Sequence, residues 1–365
     1  MKKLNKEEFL NFTVGPVQMY KEELEIGSQQ QPYFRTKEFS AITLENEMIM
    51  KELVNATENS KAIFLTTSGT GAMEASVMNV FSKEDKVLVV NGGSFGHRFV
   101  ELCEIHEIPF EEIKLSYGEV LRKENLEKYK NKGFTGFLVN AHETSTGVLY
   151  DLDLIGEFCR EQNLLLVVDA ISAFLADEIN MVKNNIDLVL TGSQKALALP
   201  AGMAIIVANE KAINRIENSN VRSMYFNLKD YLDNGKRGQT PFTPAVGVIL
   251  QLNSRLRRIK ENGIDSAINR TKYVAKTFRE KIKGLPFEIA NDNPSNALTP
   301  LKPTGKMTAY EIFEYMKDNY NIFLCPNGGE LSDVLFRVGH IGNISDEDID
   351  TLIEAFKDMK ERGVL

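Results

Sequence analysis

Residues 164–199 read LLLVVDAISAFLADEINMVKNNIDLVLTGSQKALAL. Two short apolar runs, 164–168 and 186–190, end in small or polar residues, and they deliver Asp169 and Lys195 in turn. Continuous Leu and β-branched runs of this kind predict strands buried on both faces of a parallel sheet. In such sheets the chemistry gathers where the carboxyl ends of strands give way to loops. An acid and an amine are therefore carried to one rim. A buried carboxylate with a nucleophilic lysine is the pair a pyridoxal phosphate enzyme needs. The lysine forms a Schiff base and the acid keeps the pyridine nitrogen protonated. Two residues alone fit equally well an α/β protein with an incidental surface lysine and a helix-capping aspartate.

Upstream, 62–66 reads as a strand and is followed by TSGTGAMEASVMNV. Ser68, Gly69 and Thr70 then stand at a helix N-terminus, where free N–H groups and the helix dipole suit a phosphate; an ordinary N-cap reads the same way. No Gly-Lys-Ser/Thr follows, so this is not a Walker loop, and Thr70 and Ala72 break the dinucleotide glycine spacing. A strand at 86–90 ends in NGGSFGHRF, placing Phe95 in a Gly-rich loop where an aromatic could stack on a planar ring. Helices are predicted at 99–105 and, rich in charge, at 118–131, with a strand at 110–115 between them. The strand at 136–140 ends in AHETSTG, a polar cluster too dense for a simple turn, and residues 142–146 offer a partner for a phenolic oxygen. A helix at 152–161 leads back into the opening stretch, and 203–208 supplies a last strand.

This alternation predicts an α/β fold, a doubly wound, mainly parallel sheet. Ahead of it, 11–20 holds a Gly-Pro turn and 32–35 a polar and aromatic loop. A helix follows Phe39 with Ile42, Leu44, Met48, Met50 and Leu53 as its apolar members. Behind it, 222–244 reads as polar and aromatic loop ending in GKRGQTPFTP. Helices at 245–262 and 265–283, short strands near 287–290, 297–301, 322–324 and 335–338, and helices at 307–319 and 345–361 make a smaller α+β unit. The division predicted is an N-terminal segment, 1–20, packing near the small unit and the site, a large domain, 21–245, and a small C-terminal domain, 246–365.

The chain of 365 residues, 43% apolar and 26% charged, is long enough for these two units and ordinary for a globular protein. A net charge of −8 argues against nucleic-acid binding. No apolar run approaches a membrane span, and MKKLNKEEFLNF lacks the apolar core of a signal peptide. Cys103, Cys159 and Cys325 form no CxxC or Cys/His spacing, which predicts reduced cytoplasmic thiols and no metal site.

The pieces converge on one constellation, and here the sequence resembles a known family. TVGP (13–16), SGTGAMEA (68–75), NGGSFGHR (91–98), HETSTG (142–147), VDAISAF (168–174), TGSQKAL (191–197) and FRVGHIG (336–342) are similar to the class V, or subgroup IV, aminotransferases of fold type I. Within these, alanine–glyoxylate, serine–pyruvate and 2-aminoethylphosphonate–pyruvate transaminases are the likeness. The resemblance implies pyridoxal 5'-phosphate as cofactor, Lys195 as its Schiff-base lysine and Asp169 as the partner of the pyridine nitrogen. It makes Phe95 the stacking residue and Thr144 the group near the phenolic oxygen. Ser68, Gly69, Thr70 and Gln194 fall to the phosphate, which Thr240 or Thr243 reaches from the other subunit of a homodimer. Arg337 would hold the substrate carboxylate, as a bidentate guanidinium suits, in loops that include Gly15, Arg35 and Tyr225. The implied reaction is a ping-pong transfer from a small amino acid to a 2-oxo acid, with Lys195 as general base at Cα. One departure is the stacking position, where many relatives carry Trp, Tyr or His. A cysteine desulfurase or other β-eliminating lyase, a non-catalytic cofactor-binding regulator and a purely structural protein are the other readings. Cys325, in FLCPNGG, is read as a buried structural thiol.

Overall fold

The apolar runs form strands, and alternate residues of each feed two different cores. The computed structural model describes residues 9–365, so the first eight residues of the 1–20 segment lie outside the described residues. Its first elements are β1 (Leu10–Asn11), α1 (Lys21–Gly27), α2 (Lys37–Leu53), β2 (Lys61–Leu65), α3 (Gly69–Val80), β3 (Val87–Asn91) and α4 (Ser94–Ile105). Then come β4 (Phe110–Lys114), α5 (Lys123–Glu127), β5 (Gly136–Asn140), β6 (His142–Glu143), β7 (Val148–Leu149), α6 (Leu152–Gln162), β8 (Leu165–Asp169), β9 (Leu188–Gly192) and β10 (Ala204–Ala208). The rest is α7 (Glu210–Asn218), α8 (Leu228–Gly235), α9 (Val246–Asn262), α10 (Ile264–Lys281), β11 (Phe287–Ile289), β12 (Leu298–Pro303), α11 (Ala309–Tyr320), β13 (Ile322–Phe323), β14 (Cys325–Pro326), β15 (Phe336–Gly339) and α12 (Asp346–Glu361).

A seven-stranded sheet runs β2-β10-β9-β8-β5-β3-β4. β10 is antiparallel to both its neighbours and every other pairing is parallel. Leu166 and Val168 of β8 face one core, while Leu165 and Val167 face the other. That is why the strands read as unbroken apolar runs: side chains alternate across a sheet covered on both faces. The carboxyl ends of β2, β3, β5, β8 and β9 therefore open on one edge, and the chemistry-bearing segments all follow them.

A second sheet, β11-β12-β15-β14, is antiparallel. One face is covered by Val274 and Phe278 of α10, Ile312 and Met316 of α11, and Leu352 and Phe356 of α12. The N-terminal segment joins this unit: Leu10 pairs with Ile322, and Gly339 N donates to Phe12 O.

Several elements differ from the sequence expectation. The 118–131 helix is only α5, because the chain turns at Gly118, Asn131 and Gly133, all at positive φ. Residues 222–244 contain α8, whose Leu228, Tyr231 and Leu232 bury at helical spacing. α1 and α7 are additions. In α2, Leu44 and Met48 point outward at 42% and 50% exposure, while Phe39, Ile49, Met50 and Leu53 are buried. Finally α4 begins at Ser94, which moves Phe95 from a loop into a first helical turn.

Candidate active site

β8 and β9 are parallel neighbours with Asp169 in register with Leu190, so Asp169 and the segment carrying Lys195 emerge side by side. Asp169 is 5% exposed, and its Oδ1 accepts from Ile171 N at 2.8 Å. The carboxylate makes no other hydrogen bond among the described residues. Burial pushes it up to about 6, against the opposing pull of Ile171 N–H and the Lys195 charge. Lys195 is 9% exposed, and burial pushes it down to about 8. Charge on Cys325, Arg337, Asp169 and Arg98 reaches it as well. Gly15 covers the lysine at a φ of +132°; a Cβ there would stand 2.7 Å from Lys195 Cδ and 3.1 Å from Nζ. Only glycine takes this backbone shape and leaves the room.

At the end of β2, Ser68 caps α3, its Oγ accepting from Gly71 N. No acidic residue occupies the helix's first turn, so the positive end of the dipole is uncompensated. Gly69 is buried under Ile171, whose Cδ1 would lie 2.4 Å from an added Cβ, and Thr70 is exposed beside it. Gln194 turns a buried Oε1 with no partner. The 239–245 segment lies against the same corner: Ala245 N donates to Thr66 Oγ1, and Tyr225, stacked on Phe242, donates to Thr66 O. Arg35 pins it by donating to Gln239 Oε1, Thr240 O and Pro241 O. Thr240 is buried with its Oγ1 donating to Phe242 O at 2.7 Å, whereas Thr243 is exposed.

Phe95 is half-buried, with the Arg98 guanidinium 4.9 Å from its ring centroid. Its position is set from the end of the neighbouring strand, β5. Fully buried Glu143 accepts from Phe95 N (3.3 Å), Gly96 N (2.8 Å), Ser145 N, Ser145 Oγ and Asn140 Nδ2. It supplies the cap that the local sequence of α4 lacks. Thr144 Oγ1 lies 2.7 Å from Ser172 Oγ, which lies 2.9 Å from His142 Nδ1; all three side chains are buried.

Arg337 on β15 reaches this group from the second sheet, Nη1 donating to Thr144 O and Nη2 to Pro326 O. It is 7% exposed, its Nε has no partner, and no ion pair links it to a carboxylate among the described residues. A buried cation held only by carbonyls is unneutralised, which fits an incoming anion. Cys325 is in register with Arg337 on β14. It is partly exposed, so the burial expected of it from the sequence is not found. Beside these residues a cleft of about 750 Å³ opens between the first turn of α4 and the short 3-10 turn Gly329–Leu331, lined in part by Ser94, His97, Ser145 and Asn327.

The structure thus brings Lys195, Asp169, Phe95, Thr144, Gln194, Ser68, Gly69, Thr70, Gly15 and Arg337 to one edge. Sequence reasoning missed Glu143, Ile171 and Ser172. Each lies inside a motif already singled out, but its role is a contact to a distant segment.

The family model described as aminotransferase class-V matches residues 18–323. The soluble hydrogenase 42 kDa subunit of Anabaena cylindrica is 33% identical over 322 residues, covering 86% of this chain and 83% of that protein. The L-aspartate–glyoxylate aminotransferase of Paracoccus denitrificans is 26% identical over 81% of this chain and 77% of its own length. Among solved structures, a subgroup IV aspartate aminotransferase from Thermus thermophilus superposes with a TM-score of 0.90 at 24% identity, covering 98% of this chain and all of that one.

Proposed function

The chain belongs to the class V aminotransferases; it is a pyridoxal 5'-phosphate-dependent enzyme of that kind, and we propose that it moves the amino group of a small amino acid to pyruvate or glyoxylate. The observation that carries the reading is the Asp169–Lys195 pair. Two buried groups on adjacent strand ends have their proton affinities moved toward neutrality, as acid–base chemistry at pH 7 requires. The donor class rests on Arg337, whose unneutralised guanidinium suits one carboxylate, and on a relative named for aspartate and glyoxylate. Serine, alanine and 2-aminoethylphosphonate are the other donors to screen.

The residues fit the cofactor. The uncompensated α3 N-terminus and the free oxygen of Asp169 are polar features without protein partners. The Gln194 amide, whose Oε1 has no partner, is free to turn its Nε2–H groups toward a phosphate. Ser68, Gly69, Thr70 and Gln194 would hold its phosphate, Phe95 and Thr144 its ring and phenolic oxygen, and Asp169 its ring nitrogen. When bound, the cofactor supplies an electron sink that acidifies the donor's Cα–H. Asp169, ionised at neutral pH, keeps the ring nitrogen protonated. Lys195, with a depressed proton affinity, is unprotonated often enough to anchor the cofactor and to carry the proton from Cα as general base. Arg337 orients the carboxylate, and Gly15 leaves the lysine room to swing.

Thr243 is the candidate for reaching a second subunit's phosphate, since the Thr240 hydroxyl is spent inside its own loop. The three-part division 1–20, 21–245 and 246–365 belongs to the same reading. So does a cytoplasmic setting, supported by three unpaired cysteines; no helix of the described residues is long and apolar enough to cross a membrane. The hydrogenase name of the Anabaena protein has no counterpart in these thiols: Cys103 and Cys159 are buried apart in the two cores, their thiols pushed far up by burial.

The test is the Lys195→Ala protein. Wild type should purify yellow and exchange amino groups between donor and oxo acid; the variant should lose the visible band and turnover. A variant that kept the band would sink the assignment. A lyase reading has one observation in its favour, Cys325 at the site, and is separated by assay with cysteine: sulfide release without a second oxo acid would favour it.

A further inference from the structure

We propose that His142, acting through Ser172, holds the Thr144 hydroxyl as a hydrogen-bond donor aimed at the cofactor's phenolic oxygen, so that His142 and Ser172 are positioning residues of the enzyme. The proposal rests on the placement of Thr144 given above. The three side chains form a buried chain with contacts of 2.9 Å (His142 Nδ1 to Ser172 Oγ) and 2.7 Å (Ser172 Oγ to Thr144 Oγ1). Two hydroxyls in series pass on a direction, because each uses its one proton once. The direction is therefore set at the imidazole.

If Nδ1 carries the proton, it donates to Ser172, Ser172 donates to Thr144, and the Thr144 proton is left for a ligand. If Nε2 carries it, every arrow reverses and Thr144 points its proton back into the protein. Two observations favour the first arrangement. His142 Nε2 is buried with no partner, and a bare buried N–H is rarer and costlier than an acceptor left with a free lone pair. The charged groups acting on the ring are Lys195, Arg337 and Arg279, from β9's outlet, β15 and α10, and all are cations. Such a field favours a lone pair over an N–H at the buried, unpartnered Nε2. It also keeps the ring neutral: burial first, then these cations, push His142 down to about 3, so the chain does not titrate between pH 5 and 9. The alternative acceptor for Thr144, His142 O at 3.5 Å, is too distant to hold the proton strongly.

A donor at the phenolic oxygen stabilises its anionic form, so the proton shared between that oxygen and the linked lysine nitrogen is held less tightly. Removing the donor raises the pH at which the visible band of the holoenzyme titrates. The other groups facing that proton are Asp169, Arg98, Arg337, Glu143 and Cys325, and none is altered by the variants chosen. Ser172→Ala and His142→Leu should each raise the midpoint by about one pH unit. His142→Asn, which keeps an N–H near the position of Nδ1, should return it to within a few tenths. In cofactor-free protein, the ¹⁵N spectrum of the imidazoles should contain a neutral, Nδ1-protonated ring that disappears in His142→Asn. Coincident midpoints in wild type and Ser172→Ala, an Nε2-protonated His142, or His142→Asn titrating with His142→Leu would overturn the proposal. Wild type that forms no lysine-dependent visible band would sink the underlying placement instead, and the imidazole spectrum would still decide the direction of the chain.

Discussion

Burial works on Asp169 and Lys195 in opposite directions, and each direction has a sign in stability. Asp169 moves from 3.8 up to about 6, so folding costs free energy that is absent below about pH 4, grows through that window and is complete above it, on the order of 3 kcal/mol. Lys195, lowered from 10.5 to about 8, costs stability below pH 8 that is relieved as pH rises toward 10.5. Asp169→Asn should therefore stabilise the cofactor-free protein at pH 7.5 by about 2–3 kcal/mol in urea unfolding, and the gain should vanish by pH 4. Turnover should fall by at least ~10²-fold. A variant no more stable than wild type at pH 7.5 would mean that the carboxylate is paired or hydrated. The same strain between stability and use explains what was legible at this scale. Asp169 and Lys195 could be read in the sequence because each follows a continuous apolar run at the carboxyl end of a strand, and Arg337 because FRVGHIG resembles the family's motif. Glu143 and Ser172 could not, because their worth lies in partners dozens of residues away.

Helix α4 owes its start to a carboxylate from another strand. Glu143 answers two of the helix's opening N–H groups, those of Phe95 and Gly96, and also binds Ser145 and Asn140. Glutamine offers one acceptor oxygen where the carboxylate offers two, and it brings an N–H to face other N–H groups. Glu143→Gln should cost about 2–3 kcal/mol in unfolding and weaken cofactor retention, because Phe95 rides on that turn; dialysis followed by visible absorbance measures the second effect. Unchanged stability would show the turn to be capped without it. Most of the fold was readable in terms of period and punctuation. The buried strands, α3, α6, α9 and α12 declare themselves through apolar spacing and their Ser, Asp or Gly boundaries. What escaped was of two kinds. α4 began early because its cap is non-local, and the 118–131 helix shrank to α5 because Gly118 and Asn131 favour positive φ over a run of good helix formers. In α8 the helical spacing of Leu228, Tyr231 and Leu232 is present but masked by polar and aromatic neighbours.

At the scale of the whole molecule, several large apolar side chains lie exposed around α2 and the segments at 33–35 and 224–243. Tyr33 (69% exposed) leads into Phe34 and Arg35, Arg35 pins 239–241, Leu44 (42%) packs beside Gly238, and Tyr225 stacks on Phe242. Met48 (50%) lies one turn on from Leu44 in α2, and Met224 (79%) precedes Tyr225 in the loop before α8. An uncovered group of this kind suits the subunit interface proposed above, and exposed Thr243 lies in the adjoining 239–245 segment. Light scattering should report twice the 41.1 kDa of the chain, and Leu44→Glu with Met48→Glu should give a monomer that holds cofactor at least ~10-fold more weakly. Thr243→Ala should weaken phosphate binding with little effect on stability, whereas Thr240→Ala should chiefly loosen its loop. A wild-type monomer at micromolar concentration would remove the two-chain site. The N-terminal segment has a consequence of another order, in time. Leu10 has its partner at Ile322 and Phe12 at Gly339, while Gly15 must come to rest on Lys195. At about 5–20 residues per second on the ribosome, the first strand waits roughly 15–60 s for the residues it pairs with. The sheet that bears Asp169, with the turn after β9 that bears Lys195, is complete long before then. During synthesis the lysine is therefore uncovered, and the chain becomes an enzyme only when residues 10–15 are fastened to the strands at 322–339.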